Sequence, residues 1–130
     1  MTISRIAVLG AGAWGTALAN CAARAGASVI LWARDRDTCA AIAATRQNPR
    51  LPGIRLDDGI SVTSDLQDAA ETEAVLLVVP SQAVREVASE VADFLVEATP
   101  VVACAKGIER GKHLFMTEII AQCEIGRAHV

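Results

Sequence analysis

The run Gly10-Ala11-Gly12-Ala13-Trp14-Gly15 sets three glycines at the spacing G-x-G-x-x-G, after a β-rich stretch and ahead of an Ala- and Leu-rich one. Each glycine answers a separate physical demand. Gly10 permits a tight turn, Gly12 has no Cβ to obstruct a pyrophosphate, and Gly15 lets a helix lie close to a sheet. Free N–H groups and the positive end of that helix then face the phosphates, so the run is suited to a dinucleotide. About twenty positions on, where such sites recognise the ribose, a second strand ends in Trp32-Ala33-Arg34-Asp35-Arg36. An acidic side chain there holds a 2′-hydroxyl, whereas a guanidinium suits a 2′-phosphate. Arg34 and Arg36 favour NADP; Asp35 keeps NAD open, either by taking the ribose hydroxyl or by serving only as a helix cap. Lys106, one of two lysines in the chain, follows the fifth strand at the edge where ligands bind and is suited to a phosphate. Ser81, at the same edge, reads as a helix cap in preference to a ligand contact.

The elements that must position these residues alternate in type along the chain. Residues 3–9, 28–33, 60–63, 74–79 and 101–105 read as strands. The continuous apolar run at 74–79 fits a parallel strand buried on both faces. Helices are expected over 16–25, closed by Gly26, and from Asp35 or Asp37 to about Thr45, with Cys39, Ile42 and Ala43 inward. Residues 65–70 make a turn or two. A further helix starts at Ser81 with apolar positions 84, 87, 88, 91, 94 and 95, and a last one covers 113–122. Residues 48–59 carry two prolines and two glycines and read as an irregular loop. The expected fold is α/β, a doubly wound, mainly parallel Rossmann-type sheet with flanking helices.

Composition bounds the remaining alternatives. Twelve Lys+Arg against fifteen Asp+Glu leave a net charge of −3, which argues against a nucleic-acid binder. Twenty-five alanines with no tyrosine suit helices packed closely on a sheet. The four cysteines form no C-x-x-C pair and the chain has two histidines, so no zinc site is expected; reduced thiols point to the cytoplasm. The apolar run behind Arg5 superficially resembles an export signal. Three glycines interrupt it, and it carries the most informative segment of the chain. No run of 18 apolar residues occurs, so no membrane-spanning helix is expected. One domain is expected over 1–123. Residues 124–130 match a sequencing adapter translated in frame and are expected to be a non-native tail, the alternative being a helix end with a glycine stop. The natural protein is then expected to continue past Cys123.

Five segments together resemble the N-terminal domain of the bacterial NAD(P)-dependent glycerol-3-phosphate dehydrogenases. They are GAGAWGTALA at 10–19, LWAR at 31–34, NPRLPGI at 48–54, VVPSQ at 78–82 and KGIE at 106–109. The resemblance implies that Ala13 and Trp14 contact the cofactor, that Arg34 sits at the adenosine ribose, and that Lys106 touches both the nicotinamide half and the substrate phosphate. It also implies hydride transfer between nicotinamide and C2 of dihydroxyacetone phosphate, giving sn-glycerol 3-phosphate for phospholipid synthesis, and a homodimer of the full-length protein. This sequence departs from the pattern at Ala13, where Ser is frequent, and at Asp35, where a second basic residue often stands. Ala105 replaces a hydroxyl residue and Arg50 an aromatic. The family's catalytic lysine belongs to a separate helical domain with no counterpart here. Nucleotide binding without turnover is therefore expected; the alternative is a stand-alone, non-catalytic redox-sensing module.

Overall fold

A computed structural model describes residues 3–96, 99–104, 118 and 127–129. Its strands are β1 (Arg5–Leu9), β2 (Ser28–Trp32), β3 (Ile60–Thr63), β4 (Ala74–Leu77), β5 (Pro100–Ala103) and β6 (Arg127–His129). The helices are α1 (Ala13–Arg24), α2 (Arg36–Thr45) and α3 (Val84–Ala92), with 3₁₀ turns at Leu66–Glu71 and Ser81–Ala83. The strands form one sheet in the order β3-β2-β1-β4-β5-β6, and every neighbouring pair is parallel. The chain builds outward from β1 to β3, then returns to β1's other side and builds the opposite way. That reversal is the switch point at which open α/β sheets leave a crevice beyond the carboxyl ends of their strands.

Alternation along β1 divides the core. Ala7 and Leu9 face a cluster completed by Leu66, Val87 and Val91, whereas Val8 faces Ala19, Leu31, Ile42 and Leu56. Both faces of the sheet are thus covered, which is why its central strands read as unbroken apolar runs.

The structure moves several expected boundaries. Helix α1 starts at Ala13, three residues before the expected 16, because Gly12 is extended (φ −74°, ψ −175°) and acts as the N-cap. The last glycine of the motif is consequently helical. Helix α3 stops at Ala92, so Phe94 and Leu95 lie beyond it, with Phe94 exposed. Ala43 points to solvent, leaving Cys39 and Ile42 as the buried residues of α2. Ser81 caps nothing: it is the first residue of a 3₁₀ turn, and α3 begins behind Ala83 with no side-chain cap. Strand β5 ends at Ala103. Ala105, Lys106 and the KGIE segment lie outside the described residues, as does the expected helix at 113–122 apart from Glu118, which is helical. Among the described residues no helix is long and apolar enough to cross a membrane.

Candidate functional site

The ends of four strands meet at the switch point. The Gly10 N–H donates to the Trp32 carbonyl (2.9 Å), the Val78 N–H to Leu9 (2.8 Å) and the Cys104 N–H to Leu77 (2.9 Å). Gly10 lies at φ +124°, a conformation that side chains rarely tolerate, and a Cβ there would fall 2.7 Å from the Val78 carbonyl oxygen. A Cβ on Gly15 would collide with the Gly10 carbonyl oxygen. Gly15 thus lets the turn close on itself, and Gly10 lets the chain leaving β4 pass against it. Gly12 differs, because a Cβ there meets nothing within 4 Å; the position opens into the crevice.

Behind the turn sits a polar network that sequence reasoning missed. Asn48 is buried and its Nδ2 donates to the Ala11 carbonyl and to the Thr16 hydroxyl, both at 2.8 Å. Its Oδ1 accepts from the Arg50 N–H at 3.0 Å. One side chain therefore ties the irregular 48–59 loop to the glycine turn. The NPRLPGI segment marked the loop without indicating which of its residues turned inward.

The crevice has a volume of about 1070 Å³, at the upper end of the usual range for ligand cavities. The glycine turn, Trp32, Arg34, Asp35, Arg50, Pro80, Ser81 and Cys104 line it. Trp14 stands at its mouth, 61% exposed. At one end the Arg34 guanidinium carbon lies 5.4 Å from the Trp32 ring centroid. Its Nη2 also reaches Glu86 at 3.4 Å and Glu90 at 3.3 Å.

Asp35 caps α2, accepting from the Thr38 hydroxyl at 2.6 Å and the Asp37 N–H at 3.3 Å. Those bonds, the Thr38 hydroxyl foremost, hold its carboxyl below the ordinary value of 3.8. The Cys39 thiol lies against the Ala33 and Thr63 carbonyls, and burial pushes its pKa up. Burial does the same to the Cys104 thiol. Neither thiol has the lowered pKa of a nucleophile.

The donor set fits a dinucleotide diphosphate. Gly12 offers α1 no side-chain cap and the first turn carries no acidic residue, so helix N–H groups face the space left by the missing Cβ. The buried Trp32 Nε1–H in the cavity wall has no acceptor among the described residues. Of the expected site residues, Gly10, Gly12, Ala13, Trp14, Gly15, Arg34 and Asp35 come together on this crevice, and Lys106 lies outside the described residues.

The family model described as "NAD-dependent glycerol-3-phosphate dehydrogenase N-terminus" matches residues 5–129. A glycerol-3-phosphate dehydrogenase (NAD(P)+) of Bradyrhizobium sp. strain ORS 278 is 59% identical over 117 residues, 90% of this chain and 36% of that protein. The chain thus spans little more than a third of the length of that curated relative. A crystal structure of glycerol-3-phosphate dehydrogenase from Coxiella burnetii superposes with a TM-score of 0.88 at 33% identity, covering 97% of this chain and 39% of that one. The glycerol-3-phosphate dehydrogenase of Saccharomyces cerevisiae shares the fold, with a TM-score of 0.80 at 22% identity over 98% of this chain and 41% of that one. The glycine turn, the switch-point crevice and these matches lead to one assignment: the chain belongs to the NAD-dependent glycerol-3-phosphate dehydrogenase family, in the part that forms its N-terminus.

Proposed function

We propose that this chain binds NAD(P) in the switch-point crevice and serves, within the full-length protein, the interconversion of dihydroxyacetone phosphate and sn-glycerol 3-phosphate. The observation that carries the reading is the opening at Gly12, where the α1 N-terminus meets a cavity of about 1070 Å³. The first-turn N–H groups of α1 receive the diphosphate. Arg34 and Asp35 lie at the adenosine ribose, and Ala13 and Trp14 flank the nucleotide. Asn48 keeps the turn in shape from behind. Lys106 is assigned to the nicotinamide half and the substrate phosphate on the family resemblance. The nicotinamide, when bound, supplies or accepts the hydride.

Proton transfer at the C2 oxygen is assigned to a lysine beyond this chain, so the chain alone binds without turning over. Its place is the cytoplasm, consistent with the free thiols of Cys21, Cys39 and Cys104. The full-length protein is assigned as a homodimer. The binding unit is residues 1–123. Removal of 124–130, whose described residues 127–129 form the outer strand β6 and are not among the described residues that line the cavity, is expected to leave affinity unchanged.

Calorimetric titration with NADH and NADPH tests the reading. A Gly12→Val variant should lose binding by at least about tenfold, since its side chain would fill the diphosphate cradle, while circular dichroism stays unchanged. Undiminished binding would overturn the assignment. Reduction of dihydroxyacetone phosphate by the chain alone would overturn its expected inactivity.

A further inference from the structure

Arg34 is already engaged. Along β2, Val29 and Leu31 face the α1 and α2 side of the sheet, and Trp32 faces the α3 side. Arg34, just beyond the strand end, has its guanidinium over that indole. It meets α3 there, where Glu86 and Glu90, four residues apart on one helix face, both approach Nη2. The two carboxylate side chains are 65% and 43% exposed and the Arg34 side chain 53%, so water reaches the group and a ligand can compete for it.

We propose that Glu86 and Glu90 set the discrimination between NAD and NADP by holding Arg34 in a carboxylate clamp. The inference rests on the reading of the crevice as a dinucleotide site with Arg34 at the adenosine ribose. A phosphate monoester brings roughly two negative charges at neutral pH. At this ribose it must either displace both carboxylates from the guanidinium or lie beside them, with the Asp35 carboxylate adding to the same field. A neutral 2′-hydroxyl can take one N–H of the guanidinium and leave both ion pairs standing. Arg50 lies on the cavity wall and Arg36 in the first turn of α2, and among the described residues neither forms an ion pair with Glu86 or Glu90. Arg34 by itself is an NADP determinant; Arg34 in its clamp admits NAD on comparable terms.

The test compares dissociation constants for NADH and NADPH by calorimetry, on the chain and on a Glu86→Gln/Glu90→Gln variant. The variant should bind NADPH about three- to tenfold more tightly while NADH changes by less than about twofold. A Glu90→Gln variant should move the same ratio part of the way, and serves if the double variant does not fold. Equal shifts for both nucleotides, or no gain for NADPH, would overturn the inference and leave the cavity assignment intact. If the unaltered chain binds neither nucleotide, the cavity assignment fails and takes the inference with it.

Discussion

Asn48 shows how much of a phosphate site rests on a residue that would never touch phosphate. Its amide reaches the Ala11 carbonyl 37 positions away in sequence and the buried Thr16 hydroxyl. Asn48→Ala should therefore destabilise the chain by about 1–3 kcal/mol, the cost of leaving buried polar groups unpaired, and should weaken nucleotide binding as well. Urea unfolding and calorimetry on the same variant check both. Asp35 offers a pH test. Its carboxyl is held below the ordinary 3.8, chiefly by the Thr38 hydroxyl, so the cap is complete above that value and is lost as pH falls through the lower folded value. The Asp37 amide resonance should report this titration, and Asp35→Ala should abolish it. The glycines were legible in the sequence because their spacing is a pattern within one short segment, even though the clearance Gly10 needs is against the distant Val78 carbonyl. Asn48 was not, because its burial arises only where a distant loop meets that turn.

At the level of elements, the helical period along α3 carried through at 84, 87, 88 and 91, all buried. It failed at 94 and 95, where the chain leaves the helix while the apolar pattern continues. The opposite error occurred at α1. Ala13-Trp14-Gly15 lacks the look of a helix start, yet the extended Gly12 begins the helix there. Ser81 has the residue type of a cap without the position of one. Periodicity records which side of the chain is apolar and says little about where hydrogen bonding begins or ends. The strands tolerated this best, since burial on both faces leaves a strong signal. Leu77, 1% exposed at the end of β4, belongs to the cluster that α3 completes. Leu77→Ala should cost about 2–5 kcal/mol in denaturant unfolding. A loss below about 1 kcal/mol would mean that the β4–α3 layer is looser than this packing implies.

Taken as a whole, the molecule delivers the carboxyl ends of β1, β2, β4 and β5 to one side of a parallel sheet, and the reversal of strand order opens the crevice between them. The alternation of strand and helix made that architecture readable in advance. Which side chains converge on the crevice followed from strand register instead, as with Arg34 meeting Glu86 and Glu90. Thiol labelling gives a test at this scale. Cys21 is exposed on α1, Cys39 is buried, and Cys104 lines the cavity. Among these three, native alkylation should reach Cys21 first and Cys39 last. Saturating NADH should slow modification of Cys104 without altering that of Cys21; an unaffected Cys104 would place the nucleotide elsewhere.

Both tryptophans of the chain, Trp14 and Trp32, line that one crevice, and the sequence contains no tyrosine. The protein's near-ultraviolet emission therefore comes almost entirely from the walls of a single cavity, one indole open to water at the mouth and the other sealed beneath a guanidinium. Whatever enters there passes between the chain's own two lamps. Occupancy can then be followed by light, as quenching or as energy transfer to a reduced nicotinamide, with no dye attached and no residue replaced.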